Sequence, residues 1–229
     1  MPEHDHPSES VENFLKAVYV LQAGGERVST NTLSERLGVS APSVTDMAQR
    51  LVSAGLVDYQ KYRGVMLTVS GERIALHVLR RHRLIELFLV RELGYALTSV
   101  HQEAEALEHA VSEHFIEALA AKLGDPHYDP HGDPIPAADG TMQQRDLIPL
   151  TALPVGGRAI VCRLNTFSAE MLQHVLDRGF IVEAQVVLLA RDPFEGPLTL
   201  TVNGEMTIIG SQAAAHILVQ AAPAESASP

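Results

Sequence analysis

From Glu9 onward the apolar residues Val11, Phe14, Leu15, Val18 and Leu21 recur at three- and four-residue spacing, which predicts an amphipathic helix. The run AGGE (23–26) stops it. A second helix is predicted over TNTLSERLGV, capped by Ser29 or Thr30 and ended by Gly38. Ser40 is the cap of a third, with Pro42 in its first turn, where proline is tolerated. This helix runs to about Ser53 with Val44, Met47, Ala48 and Leu51 inward, and Gly55 terminates it. LVDYQ (56–60) and VMLTVS (65–70) read as short strands around the turn KYRG, with Gly64 at its tip. Helix, helix, turn, helix and two-stranded hairpin is the order of a winged helix-turn-helix. In that arrangement the third helix enters a DNA major groove and the hairpin meets the backbone.

The pattern then lengthens. Ser70 is read as the cap of a long helix ending before Gly94. Residues 97–124 read as one further long helix, with Val100, Ala104, Leu107, Val111, Phe115 and Leu119 on its apolar side. These two helices offer an apolar face for self-association. Residues 125–146 are rich in Pro, Gly and Asp and predict a linker or an ordered crossover loop. From Ile148 the pattern is that of strands: RAIVCRL, AQVVLLAR, LTLTVN and MTIIG, broken by the short helical piece AEMLQHVLDRG. Short strands at this density predict a small SH3-like β-barrel. The expected class is α+β, in three domains. These are a winged helix-turn-helix over 9–72, a helical dimerisation and metal-binding domain over 73–140, and an SH3-like domain over 146–221. Residues 1–8 and 222–229 are expected to be disordered tails, and His4 and His6 fall in the first of them.

Candidate chemistry sits on the two long helices. His82 and Glu86 are four residues apart and so share a helix face. His101, Glu105 and His109 would form one stripe, with Glu108 beside it. Imidazole and carboxylate without thiolate suit Mn(II), Fe(II), Co(II), Ni(II) or Zn(II) better than copper(I) or an iron–sulfur cluster. His114 is read as structural or surface, and His127, Tyr128 and His131 as loop packing.

The net charge of −11 argues against a nucleic-acid binder when taken alone. Its distribution changes that. Residues 1–75 carry nine acidic and seven basic side chains, while residues 76–150 carry twelve and six. The acid excess thus lies with the candidate metal ligands, where bound cations would offset part of it. The single cysteine, Cys162, lies in an apolar run and is read as core filler. No apolar stretch reaches the roughly 18 residues of a membrane span, and MPEHDHPSES lacks the features of a secretory signal. A cytoplasmic protein is expected. No His-Glu-x-x-His run, phosphate loop or activated nucleophile is present, so an enzyme is not expected.

Six stretches, in this order and spacing, resemble the diphtheria-toxin-repressor-type family of metal-dependent transcriptional regulators, and more specifically its manganese-responsive branch. They are FLKAVYVL, TLSERLGVSAPSVTDMAQRLVSAGLV, YRGVMLTVSGERIA, RRHRLIELFL, the HQEAEALEH run and DPHGDPIP. The resemblance covers about Ser10 to Asp139, and more weakly extends to an iron-transport-accessory-like domain in the last third. It implies a homodimer that binds a palindromic operator in double-stranded DNA as a repressor of metal-homeostasis genes, with divalent metal as corepressor and no membrane association. It implies that His82, Glu86 and His101 are ligands of one metal site and Glu105, Glu108 and His109 of a second. Glutamate at 105, where iron-responsive members carry cysteine, favours Mn2+ over Fe2+. Zn2+, Co2+ and Cd2+ are expected to bind in vitro.

Two positions depart from the family pattern. Asn13 stands where a methionine or aspartate ligand is usual, with Glu12 or a water as a substitute. Lys16 stands where shorter manganese-type members carry glutamate. Glu170 is the nearest match to a ligand donated by the last domain. DNA contacts are expected from Ser40, Pro42, Ser43, Thr45, Asp46, Gln49 and Arg50 on the third helix and from Arg63 in the wing. Two alternatives stay open: an iron-responsive regulator of the same fold, and a winged-helix regulator whose effector is an organic ligand.

Overall fold

The computed structural model describes residues 8–22, 25–165 and 168–222. The expected tails therefore lie almost wholly outside the described residues, as does part of the AGGE stop. The chain divides into two compact units, one comprising 1–82, 105–117 and 136–142, the other 83–104, 118–135 and 143–229.

The first unit begins with α1 (Glu9–Leu21), α2 (Thr30–Leu37) and α3 (Ala41–Ser53), followed by the antiparallel hairpin β1 (Val57–Gln60) and β2 (Gly64–Leu67). Phe14, Leu15 and Val18 of α1 pack with Leu33, Val44, Ala48 and Leu51 into one buried core that also includes Val57 and Val65 of the hairpin. The local signals explain the boundaries. Ser29 Oγ accepts from the Thr32 amide, and Ser40 Oγ from the Ser43 amide, each satisfying an orphan donor of the first turn. Gly38 adopts the left-handed conformation that closes α2 (φ 65°). Gly64 begins β2 at φ 104°, and a Cβ there would stand 2.2 Å from the Val28 carbonyl oxygen. That close approach lets Val28 bridge to Val65 and adds a third strand segment to the wing.

Helix α4 (Val69–Leu93) spans 25 residues. Its first turn is capped by Thr68, whose Oγ1 accepts from the Gly71 amide at 3.2 Å, not by Ser70 as the sequence suggested. The larger correction concerns residues 97–124. They form two helices, α5 (Val100–Leu107) and α6 (Glu113–Leu123), separated by a turn. Ser112 starts α6 by accepting the Phe115 amide through Oγ at 3.2 Å. Phe115, expected inward, is consequently exposed.

In the second unit a six-stranded antiparallel sheet has the order β3-β8-β4-β5-β6-β7. Its strands are β3 (Ile148–Pro149), β4 (Arg158–Leu164), β5 (Gln185–Arg191), β6 (Leu198–Val202), β7 (Glu205–Ile209) and β8 (Ile217–Ala221), with helices α7 (Ala169–Leu176) and α8 (Ser211–Ala214). Alternating residues such as Val161, Val186, Leu188, Leu198, Leu200 and Val219 close around Phe180 as a second core. Register shifts in β4 and β5 bend the sheet. The Pro/Gly/Asp segment is an ordered loop: Asp129 Oδ1 accepts the amides of His131 and Asp133, both at 2.9 Å. Gly132 passes so close to β4 that a Cβ would lie 1.9 Å from the Cys162 carbonyl oxygen.

Candidate metal centre and nucleic-acid interface

The fold of the first unit sets α1 beside the turn that follows α5. Glu108 is fully buried there. One of its oxygens receives the Lys16 ammonium, and the other lies 2.5 Å from His82 Nδ1. Burial opposes charge on this carboxyl, but the hydrogen bond and charge of His82, together with Lys16, outweigh it and hold its pKa below the ordinary glutamate value. His109 is engaged at both ring nitrogens. Nδ1 is 2.6 Å from Glu12 and Nε2 is 3.0 Å from Asn13 Oδ1. Nε2 also lies 3.2 Å from Glu108. Glu12 pairs with Arg81 at 3.3 Å, and Arg81 in turn reaches Glu113 at 2.7 Å. Glu105 is about half exposed, 3.8 Å from the Lys16 ammonium.

In the second unit His101 Nδ1 is 3.1 Å from Glu86 Oε1. Helix α4 passes unbroken through His82 and Glu86, one turn apart. With His101 these residues form a group whose ligand atoms all lie within 4.8 Å of one another. Two imidazole nitrogens and a carboxylate oxygen at that spacing fit a divalent first-row ion. It is the single group of three or more such ligands among the described residues. The nearby Asp129 carboxyl is pushed up to about 8, chiefly by burial and then by the charges of Asp133 and Glu86. Glu170 is exposed on the first turn of α7 and is not in the group.

Spacing paired His82 with Glu86, the family resemblance added His101, and the three lie together here. The stripe of His101, Glu105 and His109 read from spacing fails, because α5 ends at Leu107 and both Glu108 and His109 belong to the following turn. The pairing of Lys16 with Glu108 and the role of Arg81 were not foreseen. A signal existed for each: a lysine in an apolar face, and an arginine directly before His82.

On α3 and at its cap, Ser40, Pro42, Ser43, Asp46, Gln49 and Arg50 are exposed. Thr45 is half-buried, and its hydroxyl donates to the Ala41 carbonyl at 3.1 Å. The Ser40 and Ser43 hydroxyls lie 2.8 Å apart. Arg63 is exposed in the wing and donates to Gln60 Oε1 at 3.2 Å. Two wing residues were not singled out from the sequence. Tyr62 is 93% exposed at φ 66°, and the Lys61 ammonium stands 5.0 Å from its ring centre. Among the described residues no helix is long and apolar enough to cross a membrane.

Comparison with known proteins agrees with this geometry. Residues 6–65 match the iron-dependent repressor N-terminal DNA-binding domain, 68–137 its metal-binding and dimerisation domain, and 148–221 the FeoA domain. The chain is 31% identical over 192 residues to the iron-dependent repressor IdeR of Mycobacterium leprae, covering 79% of this chain and 84% of that one. A manganese-dependent transcriptional repressor solved in complex with manganese superposes with a TM-score of 0.84 at 40% identity. The match covers 93% of this chain and all of that one. The repressor ScaR with bound Zn2+ gives a TM-score of 0.75 at 32% identity, covering 93% and 99%. The chain therefore belongs to the diphtheria-toxin-repressor-type family: it is a metal-dependent, DNA-binding transcriptional repressor and not an enzyme.

Proposed function

We propose that this chain is a manganese(II)-responsive repressor, acting in the cytoplasm as a homodimer on a palindromic operator of metal-homeostasis genes. The observation that carries the reading is the His82–Glu86–His101 group, a nitrogen and oxygen ligand set already gathered for one divalent ion. Its lack of thiolate favours the harder Mn2+. The likeness to a repressor solved with manganese supports the same choice. Iron(II) is the second reading, favoured by the likeness to IdeR. Residues 9–72 would read DNA, 73–140 would bind metal and pair the protomers, and 146–221 would form the SH3-like domain.

Metal acts by selecting a conformation. An ion with higher affinity for the operator-competent arrangement raises its population. Ser40, Pro42, Ser43, Thr45, Asp46, Gln49 and Arg50 present the DNA-contacting face of α3, with Arg50 meeting the phosphate backbone, which Arg63 reaches from the wing. Asp46 would accept from a cytosine amino group.

The test is fluorescence anisotropy on an operator fragment enriched from random DNA with metal-loaded protein. Metal-stripped chain is titrated with Mn(II), with Fe(II) under anaerobic conditions, and with Zn(II), at fixed salt. Stimulation by Mn(II) at micromolar levels is expected. Stimulation by Fe(II) with none by Mn(II) moves the assignment to the iron reading.

A further inference from the structure

The second ligand set of the family resemblance contains a cation of its own. Lys16 projects from α1 and is 7% exposed. Its ammonium is seated on the fully buried Glu108 carboxylate and lies 3.8 Å from Glu105. The other groups of this set are likewise matched. Glu108 meets His82 at 2.5 Å. His109 lies between Glu12 at 2.6 Å and Asn13 at 3.0 Å, and Glu12 also pairs with Arg81. A buried ammonium persists where carboxylates compensate its desolvation. It is a compact point charge that does for Glu108 what a metal ion would do. A divalent ion bound by Glu108 would share that oxygen with Lys16, and like charges at such range in a buried setting repel strongly.

We infer that Lys16 is a built-in cation of the α1-side site: it takes the place of a second metal ion, so each chain binds one divalent ion, at His82, Glu86 and His101. This rests on the metal-dependent reading above. The consequence is mechanistic. In this chain α1 is tied without metal to the Glu108 turn, by Lys16–Glu108 and Glu12–His109, and to α4 by Glu12–Arg81. Regulation would then depend on the ion held through α4 and α5. Glu105, Glu108 and His109 act as partners of Lys16 and Glu12, and Glu108 positions His82 rather than binding metal.

The test is metal counting on the full chain. Metal-stripped protein is dialysed against Mn(II), and bound manganese is measured by mass spectrometry, with electron paramagnetic resonance recorded on the same samples. Wild type is expected to hold one ion per chain, with the spectrum of isolated Mn(II). His101→Ala is expected to lose it. Lys16→Gln, which removes the ammonium, is expected to take up a second ion, whereas Lys16→Arg stays at one. Two ions per wild-type chain, or one ion retained by His101→Ala, would overturn the inference while leaving the metal-dependent reading intact. No ion in the wild type would overturn both. The wild-type and His101→Ala counts decide the matter even where Lys16→Gln fails to fold.

Discussion

Two clusters of imidazoles and carboxylates, one on α4 and α5 and one between α1 and the turn after α5, are finished differently. His82, Glu86 and His101 bring two imidazoles and a carboxylate to within 4.8 Å of one another. Glu12, Asn13, Glu108 and His109 make pairwise contacts, with Lys16 and Arg81 among them. Ligand residue types alone therefore do not define a metal site. In the second cluster the protein supplies positive charge itself, through Lys16 and Arg81.

The largest effect that would test this contrast comes from deleting Glu108. Glu108→Ala leaves the Lys16 ammonium buried without its partner and is expected to destabilise the metal-free protein by about 3–5 kcal/mol, measured by urea unfolding. Replacing both partners, as Lys16→Met with Glu108→Leu, is expected to recover most of that loss, because an apolar pair needs no charge compensation. A double variant as unstable as Glu108→Ala alone would show that the ion pair is not the source. His101→Ala is the opposite case. His101 is 41% exposed at its side chain, so metal-free stability should change by no more than about 0.5 kcal/mol. Manganese affinity should nevertheless fall by about 100-fold or more, beyond the loss typical of an outer-shell partner.

A smaller effect separates metal response from DNA contact. Arg50→Ala should weaken operator binding and make the salt slope shallower by about 0.9. The ratio of affinities with and without Mn(II) should stay unchanged, and a changed ratio would place Arg50 in the coupling rather than on the phosphates. The smallest expected effect is on acid stability. The folded-state pKa of Glu108 is lowered from 4.5, so its contribution is fully present above that value and is lost as pH falls through the depressed one. Urea unfolding of metal-free wild type and Glu108→Gln should show this fall only in the wild type.

Much of this was legible in the sequence because it is local. Apolar spacing and caps gave α1 to α3, and the strand run RAIVCRL coincides with β4 (Arg158–Leu164). His82 and Glu86 share a face by helix geometry alone. The rest depended on competition between local signals. Residues 97–124 keep an apolar periodicity that favours one helix, yet Ser112 offers a cap and the chain turns between Leu107 and Glu113. That turn aims Glu108 at Lys16, 92 residues away in the chain. No spacing rule reports a contact of that range. The strand β8 (Ile217–Ala221) was missed for the same reason: it is short and is defined by pairing with β3 and β4.

The central claim is that DNA binding is governed by an ion at His82, Glu86 and His101. The direct measurement is operator binding by anisotropy, with and without Mn(II), for metal-stripped wild type and His101→Ala side by side. Strong Mn(II) stimulation in wild type and its loss in His101→Ala is the predicted result. Equal stimulation of the two proteins, or none in wild type, would contradict the account.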